Sequence, residues 1–260
     1  MSFWEAILLG VVQGATEFLP VSSSGHLVIA QELLDVHIGG VLFEIAVHLA
    51  TLVSILLVYR ARVAGLVAGV LRREQDAWGY VALLGLATLP AAALGVLARD
   101  PIEALFESPV VPGVALLVTG ALLWTTRGVI ARATLERPGV AAALLVGVAQ
   151  AFALVPGISR SGSTVVAALW LGIRAPEAAA FSFLMAVPAI GGAAVLQLPG
   201  LTSGTGPGTG ALVAGGVAAG VTGVLAIRTF VAMLEKRSFH AFAPYCWVVG
   251  SAFLAYLLLR

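Results

Sequence analysis

Six apolar segments, each close to 20 residues long, limit what this chain can fold into. They are residues 41–59, 78–98, 110–126, 177–198, 209–232 and 241–259. A helix of about 20 apolar residues spans the hydrocarbon core of a bilayer. The chain is 60% hydrophobic and only 10% charged, whereas soluble domains carry about 25% charged residues. The sequence therefore predicts an all-α polytopic membrane protein with about six transmembrane helices, in contact with membrane lipids.

The charge and the cysteine content exclude other classes. The net charge is +1 over 260 residues, so no basic surface indicates a nucleic-acid partner. The single cysteine, Cys246, excludes an intramolecular disulfide and a metal site built from several cysteines.

Two further apolar regions, residues 1–40 and 139–173, are broken near the middle by Pro, Gly and Ser. Basic residues concentrate in loops 60–77, 127–138 and 233–240, which places these loops in the cytoplasm. Loop 99–109 is mainly acidic and loop 199–208 is uncharged, so both are assigned to the outer side. With these assignments region 139–173 must return to the side it entered, and region 1–40 does the same if the N-terminus lies outside. We therefore predict two re-entrant helical hairpins, the first from the outer face and the second from the cytoplasmic face.

The two broken regions resemble each other. "GVVQGATEFLPVSSSGHLV" begins at Gly10 and "GVAQAFALVPGISRSGSTV" at Gly147, a constant offset of 137 residues. Because the hairpins enter from opposite faces, the sequence predicts inverted repeats, approximately residues 1–130 and 138–260, within a single membrane domain 1–260. Inverted repeats with interrupted helices place the binding site near the repeat interface.

Polar residues gather at the two hairpin tips. Gln13 and Glu17 are four apart, so a helix presents both on one face. In the second tip Gly157 permits a tight bend, and Ser159 can cap the following helix. Arg160 lies at membrane depth, where the free-energy cost of burying its charge demands a partner.

This set of side chains favours phosphoryl chemistry. Free N–H groups at a helix start attract anions, and Arg160 can grip phosphate oxygens. A carboxylate at Glu17 would repel phosphate unless a divalent cation lies between them, and Mg²⁺ is commonly held by a carboxylate together with substrate phosphates. Ser23 with His26 nearby is a candidate activated nucleophile. The candidate substrate-binding residues are Ser22, Ser24, Gly157, Ser159, Ser161, Ser163 and Thr164.

Structural alternatives exist for several of these residues. Gln13 with Glu17 could form a structural hydrogen bond, and Glu17 with Arg160 a structural ion pair. Thr164 could bond back to its own helix, and His48 lies four residues after Glu44 near the end of a span. At the level of function, an anion or lipid transporter could use the same broken helices, although it would not need Ser23, His26 and a carboxylate together. A structural scaffold is a third interpretation.

The quoted motifs support one family in particular. "QGATEFLPVSSSGHL" and "PGISRSGST" resemble the two signature motifs of the undecaprenyl pyrophosphate phosphatases of the bacitracin-resistance type, and "FSFLMAVPA" resembles the segment after the second motif. The resemblance covers nearly the whole chain. It implies hydrolysis of C55 polyprenyl pyrophosphate to the monophosphate with release of inorganic phosphate, which recycles the lipid carrier for cell-wall synthesis.

The resemblance also implies roles for individual residues. Ser23 corresponds to the serine viewed as the nucleophile, and Arg160 to the arginine of the second motif. The role of His26 stays open among base, nucleophile and leaving-group acid. A divalent cation, Mg²⁺ or Ca²⁺, is expected on Glu17 and Gln13, although glutamine supplies one charge fewer than glutamate. The protein is expected in the bacterial inner membrane with its site facing the periplasm, and a homodimer is a further expectation.

Overall fold

A computed structural model describes residues 1–34, 41–197 and 208–260. Helices account for nearly all of these residues, and the only β-contact among them is an isolated bridge between Leu135 and Ile173. The helices of the first half are α1 Phe3–Phe18, α2 Ser23–Leu34, α3 Val41–Val58, α4 Arg60–Leu71, α5 Gln75–Leu97, α6 Arg99–Glu107, α7 Val110–Trp124 and α8 Thr126–Val129. Those of the second half are α9 Val140–Phe152, α10 Arg160–Trp170, α11 Ala175–Gln197, α12 Thr209–Glu235, the 3-10 helix Phe239–Ala241 and α13 Phe242–Leu259.

The long helices confirm the predicted class of a multi-pass membrane protein. Within the described residues, five stretches are long and apolar enough to cross a membrane, and they contain α5, α7, α11, α12 and α13. A sixth span results if α3 is counted together with α4, from which it is bent by 80°. These helices lie on the six predicted segments, and α11 begins one residue before Pro176, as its helix-start signal predicts.

Helix α12 shows how such a helix packs in lipid. Its exposed face carries large side chains at four-residue spacing: Val213, Val217, Val221 and Leu225. Its buried face carries small residues: Ala211, Gly215, Ala219 and Gly223. Small residues let helix backbones approach closely, while the large apolar side chains contact lipid tails.

Two predicted loops are partly helical, which corrects the sequence analysis. Region 60–77 contains α4 and region 99–109 contains α6. The loop prediction for region 60–77 used only its basic residues. In α4, however, Val63 and Leu66 pack against the main core, and this apolar contact stabilises the helix. The predicted outer loop 199–208 lies outside the described residues except for Gly208, because residues 198–207 are not described. The end of the first predicted hairpin, residues 35–40, also lies outside them.

Each broken region forms a pair of short helices, α1 with α2 and α9 with α10. These helices have 16, 12, 13 and 11 residues, fewer than a span requires. Backbone hydrogen bonds join the two ends of the second hairpin. Leu135 N donates to Gly172 O at 2.8 Å, and Arg174 N donates to Leu135 O at 2.9 Å. Residues 139–173 therefore leave and return on the same side of the protein.

The two hairpin tips share the same local bonds. The Ser22 Oγ accepts from Gly25 N at 3.3 Å, and the Ser159 Oγ accepts from Gly162 N at 3.1 Å. These pairs are 137 residues apart, and helices α2 and α10 begin one residue after each serine. The division into repeats stays a prediction, and matched contacts of this kind are what a repeat leads us to expect.

Close helix crossings set the position of both hairpins. A Cβ on Gly10 in α1 would lie 2.2 Å from Gly215 O in α12, and a Cβ on Gly147 in α9 would lie 2.4 Å from Ala87 O in α5. Only glycine permits these approaches. The first helix of each hairpin is thereby packed against a long helix from the other half of the chain.

Candidate active site

Glu17 joins three predicted site residues through its two carboxylate oxygens. Its Oε2 accepts a hydrogen bond from Ser23 Oγ at 2.6 Å and another from Gln13 Nε2 at 3.1 Å. Its Oε1 accepts from Arg160 Nη2 at 2.8 Å. Glu17 is 8% exposed, so this is a nearly buried ion pair that links the two hairpins. The partner that Arg160 requires at membrane depth is therefore Glu17, as the structural alternative predicts.

The bend of the first hairpin brings Ser23 to Glu17. Helix α1 ends at Phe18, before Pro20, because proline is unfavourable in a helix interior. Ser22 has φ of 68°, a left-handed conformation that is uncommon outside glycine. This strained residue reverses the chain, so that α2 starts at Ser23 beside the end of α1. Local strain of this kind persists where the surrounding structure enforces it.

The bend of the second hairpin is held by α7. Gly157 has φ of 96°, and a Cβ there would lie 2.5 Å from Pro112 O, which confirms the predicted need for glycine. Thr119 Oγ1 donates to Gly157 O at 2.9 Å and accepts from Ser159 N at 3.1 Å. Ser159 caps α10, as predicted, so that Arg160 begins the helix facing Glu17.

Two cavities meet at the Glu17–Arg160 ion pair. The smaller, about 80 Å³, is lined by the hairpin tips. Its polar lining residues are Thr16, Glu17, Ser22, Ser23, Ser24, Ser159 and Arg160. The larger, about 220 Å³, also contacts Glu17 and Arg160 and extends between α3, α5, α9 and α11. We refer to them as the serine cavity and the large cavity.

Four of the predicted substrate-binding residues lie outside both cavities. Gly157 forms the bend described above. Ser161 Oγ donates to Leu19 O at 3.4 Å, and Thr164 Oγ1 donates to Arg160 O at 2.8 Å, so Thr164 bonds back to its own helix as the structural alternative predicts. Ser163 is 6% exposed, and its Oγ has no partner among the described residues. These residues hold the start of α10, and their contact with substrate stays a prediction.

His26 is placed differently from the predicted serine–histidine pair. Its Nδ1 is 2.8 Å from Ser22 O, and its Nε2 is 2.8 Å from Tyr245 OH. Both ring nitrogens are therefore engaged, and no hydrogen bond joins His26 to Ser23 in the described chain. The group bonded to the Ser23 hydroxyl is the carboxylate of Glu17. His26 lines neither cavity, and its catalytic role stays a prediction.

The residues present do not fit a resident divalent cation as they stand. Both oxygens of Glu17 already accept hydrogen bonds, and Arg160 neutralises its charge. Gln13 directs its amino group at Glu17, and its Oε1, which lacks a partner in the described residues, is on neither cavity wall. No cluster of three or more His, Cys, Asp or Glu side chains occurs in residues 1–34, 41–197 and 208–260. Glu17 and Gln13 as placed here therefore supply no free carboxylate oxygen for the expected cation.

Four residues around the site were not among the predicted site residues. Thr119 and Tyr245 lie inside apolar spans, and they meet the tips only through long-range contacts. Gln150 and His48 line the large cavity. The pairing of Gln150 with Gln13 in the repeat was a signal for the first of these, and the position of His48 four residues after Glu44 was a weak signal for the second.

Comparison with known proteins places this site in a family. The profile of the family described as "Bacitracin resistance protein BacA" matches residues 6–252. This chain belongs to that family. A curated relative from Desulfatibacillum aliphaticivorans, named "Undecaprenyl-diphosphatase", is 40% identical over 98% of both chains. A relative of the same name from Alcanivorax borkumensis is 39% identical over 99% of this chain and all of its own.

Proposed function

We propose that this protein is an undecaprenyl-diphosphatase, an integral membrane hydrolase that converts undecaprenyl pyrophosphate to undecaprenyl phosphate and inorganic phosphate. Such an activity returns the lipid carrier to cell-wall synthesis and underlies resistance to bacitracin. The observation that carries the proposal is the meeting of Ser23, Glu17 and Arg160 from two hairpins, in a chain that matches relatives of that name over nearly its full length.

The hydrogen bond between Ser23 and Glu17 supports a nucleophilic first step. Ser23 Oγ attacks the terminal phosphorus while its proton passes to Glu17 Oε2, the atom 2.6 Å away. The bond between that phosphorus and the bridging oxygen breaks, and the bridging oxygen leaves as part of the lipid monophosphate. Arg160 stabilises the charge on the transferred group, since phosphoryl transfer depends mainly on positioning and charge stabilisation.

Water completes the reaction in a second step. It attacks the phosphoserine, and Glu17 returns its proton to Ser23 Oγ as the phosphorus–oxygen bond breaks. One proton of the water stays on the released phosphate and the other goes to solvent. Direct attack by water would need no phosphoserine. Trapping labelled phosphate on Ser23 during turnover would distinguish the routes, and a fully active enzyme that never becomes labelled would exclude the covalent one.

The cation, the location and the assembly are further parts of the proposal. We propose that Mg²⁺ or Ca²⁺ arrives bound to the pyrophosphate, because Glu17 and Arg160 together carry no net charge to attract a free cation.

The protein would reside in the bacterial inner membrane with the serine cavity open to the periplasm, as the basic loops favour. Labelling of Glu103→Cys in intact cells by an impermeant maleimide tests this orientation, in a Cys246→Ala background. The homodimer stays a prediction.

Phosphate release from undecaprenyl pyrophosphate is the direct test of the function. Purified protein in detergent should release phosphate, and Glu17→Ala and Arg160→Ala should each lower the rate of release about 10³-fold or more, measured on protein shown to be folded. Glu103→Ala is the matched control, because it removes a carboxylate that is 60% exposed on α6. If folded wild-type protein releases no phosphate, with or without EDTA, the enzyme proposal is contradicted and the transporter interpretation is favoured.

A further inference from the structure

The residues that line the large cavity include polar atoms that have no role in the proposed phosphoryl transfer. Gln150 is 3% exposed, and neither its Nε2 nor its Oε1 has a partner among the described residues. Arg160 Nη1 is likewise buried and unpartnered there, while Nη2 holds Glu17. An unpaired buried polar group costs about 1–3 kcal/mol, so its retention calls for a ligand.

His48 adds a titratable group to the same wall. Its Nδ1 lies 2.7 Å from the carbonyl oxygen of Glu44, one turn earlier in α3. The ring is thereby fixed by the backbone rather than by the Glu44 carboxylate. With Nδ1 as donor, Nε2 of the neutral ring accepts from a protonated oxygen, and it donates when the ring is charged.

The rest of the large-cavity lining is apolar except for Gln197, the last residue of α11. Its walls include Ile45, Leu154 and Ile190, together with small residues of α11 such as Ala193. The lining of this one cavity therefore combines charged and polar groups, Glu17 and Arg160 among them, with a majority of apolar side chains. A ligand that fits is therefore an anion joined to a hydrocarbon chain.

The position of Ser23 decides which phosphate of such a ligand lies in which cavity. Ser23 lines the serine cavity and not the large cavity. The phosphoryl group under attack must lie beside Ser23, so it occupies the serine cavity of about 80 Å³. The phosphate that stays on the lipid must then lie across the Glu17–Arg160 ion pair, on the side with the apolar walls.

We propose that Gln150 and His48 form a subsite for the retained phosphate of the lipid substrate, and that the adjacent apolar walls receive the first isoprene unit. This inference rests on the proposed function. In it, Gln150 Nε2 donates to an oxygen of the retained phosphate, and Arg160 contacts both phosphates through its two terminal nitrogens. The subsite would therefore also bind the product, a lipid monophosphate, and distinguish it from inorganic phosphate.

Separate binding measurements with farnesyl phosphate and inorganic phosphate test the subsite. Calorimetry on the purified full chain would give both dissociation constants without relying on turnover. Gln150→Leu should weaken farnesyl phosphate binding about tenfold, because one hydrogen bond to a charged group is lost, and leave inorganic phosphate within about twofold. Its melting temperature should stay level or rise, because two unpaired buried atoms are removed.

Two further variants make the outcome decisive. His48→Phe keeps the ring shape and should also weaken farnesyl phosphate alone, so it decides the case if Gln150→Leu fails to fold. Ser24→Ala, in the serine cavity, should instead weaken inorganic phosphate more than farnesyl phosphate. The proposal is overturned if both large-cavity variants bind farnesyl phosphate as the wild type does, or if both ligands weaken in parallel. A wild type that binds farnesyl phosphate but releases no phosphate would contradict the proposed function alone.

Discussion

Glu17 is the residue on which the site depends. It holds the hydroxyl of Ser23 and the guanidinium of Arg160 at once, and it is nearly buried. Removing one member of a buried ion pair leaves the other uncompensated, which costs about 3–5 kcal/mol. The same contacts can serve catalysis and stability, so activity and folding must be measured separately for each substitution at this scale.

Arg160 should matter more than any single serine of the cavity except Ser23. Arg160→Ala removes the only cation on the wall of the serine cavity within the described chain, and we expect kcat/KM to fall about 10³-fold. Ser24→Ala should cost about tenfold, since it removes one neutral hydroxyl. Steady-state phosphate release from equal amounts of folded protein measures both, and equal losses would contradict the assignment.

Gln13 should control the affinity for a divalent cation. The Glu17–Arg160 pair is neutral, so Mg²⁺ titration of the lipid-free protein should show no saturable binding below about 1 mM, and a non-cleavable farnesyl pyrophosphate analogue should create it. Gln13→Glu adds a second carboxylate and should raise the lipid-free affinity at least tenfold.

Two observations would contradict this account of the metal. One is saturable Mg²⁺ binding by the lipid-free wild type at micromolar concentrations. The other is an unchanged affinity in Gln13→Glu, provided that the control Glu103→Gln, which alters an exposed carboxylate, also binds Mg²⁺ as the wild type does.

At the scale of elements, close helix crossings position the hairpins. Helix α1 touches α12 at Gly10, and α9 touches α5 at Gly147. At both points the nearest neighbour of the glycine is a backbone oxygen of the other helix, and small residues allow such close approaches between membrane helices. Small differences in backbone distance are therefore expected to move Glu17 and Gln150, which follow one to two turns later in the same helices.

Gly10→Ala should destabilise the α1–α12 contact. The added Cβ would lie 2.2 Å from a backbone oxygen, so the helices must separate, at a cost of about 1–3 kcal/mol. Gly216→Ala in α12 is the control, because a Cβ there meets nothing within 4 Å. It should stabilise by up to about 1 kcal/mol through helix propensity. Thermal unfolding in detergent measures both, and similar melting temperatures for the two variants would contradict the packing argument.

At the scale of the whole molecule, a second ion pair with a buried carboxylate joins the two halves of the chain, in addition to Glu17–Arg160. Arg62 Nη1 and Nη2 donate to the two oxygens of Glu177 at 2.7 and 2.6 Å, and Tyr80 OH donates to Glu177 Oε1 at 2.8 Å. Glu177 is 4% exposed. Glu177 lies in the first turn of α11, where its charge is favourable for the helix dipole, and the fold also makes it a link between α4, α5 and α11.

Glu177→Gln should therefore lower the free energy of unfolding by about 1.5–3 kcal/mol, because it removes charge from a nearly buried, bidentate pair. Glu136→Gln is the matched control. It alters an ion pair with Arg174 at 4.0 Å in which the carboxylate is 82% exposed, so the change should stay within about 0.5 kcal/mol. Denaturant unfolding in micelles measures both variants, and an equal effect would show that the link contributes no more than a surface pair.

Local signals were sufficient for the class of the protein, its spans, the helix cap at Ser159 and the bend at Gly157. Each depends on residues close together in the chain, where apolar length, a hydroxyl before a helix or a glycine has a direct physical consequence. The motifs also named Glu17, Ser23 and Arg160. The pairing of Glu17 with Arg160 was one alternative among several, because the two residues are 143 positions apart, and the bond from Ser23 to Glu17 was not predicted.

Partners and cavities depend on how distant helices pack. The orientation of α2 about its axis places His26 beside Tyr245, 219 positions away, and places the Ser23 hydroxyl within hydrogen-bond distance of Glu17. The crossing of α9 with α5 places Gln150 on the cavity wall with His48. Such contacts follow from side-chain volume and backbone approach across helices, which no periodicity within one segment encodes. The chemistry could thus be inferred from the order of residues, while its geometry required the assembled fold.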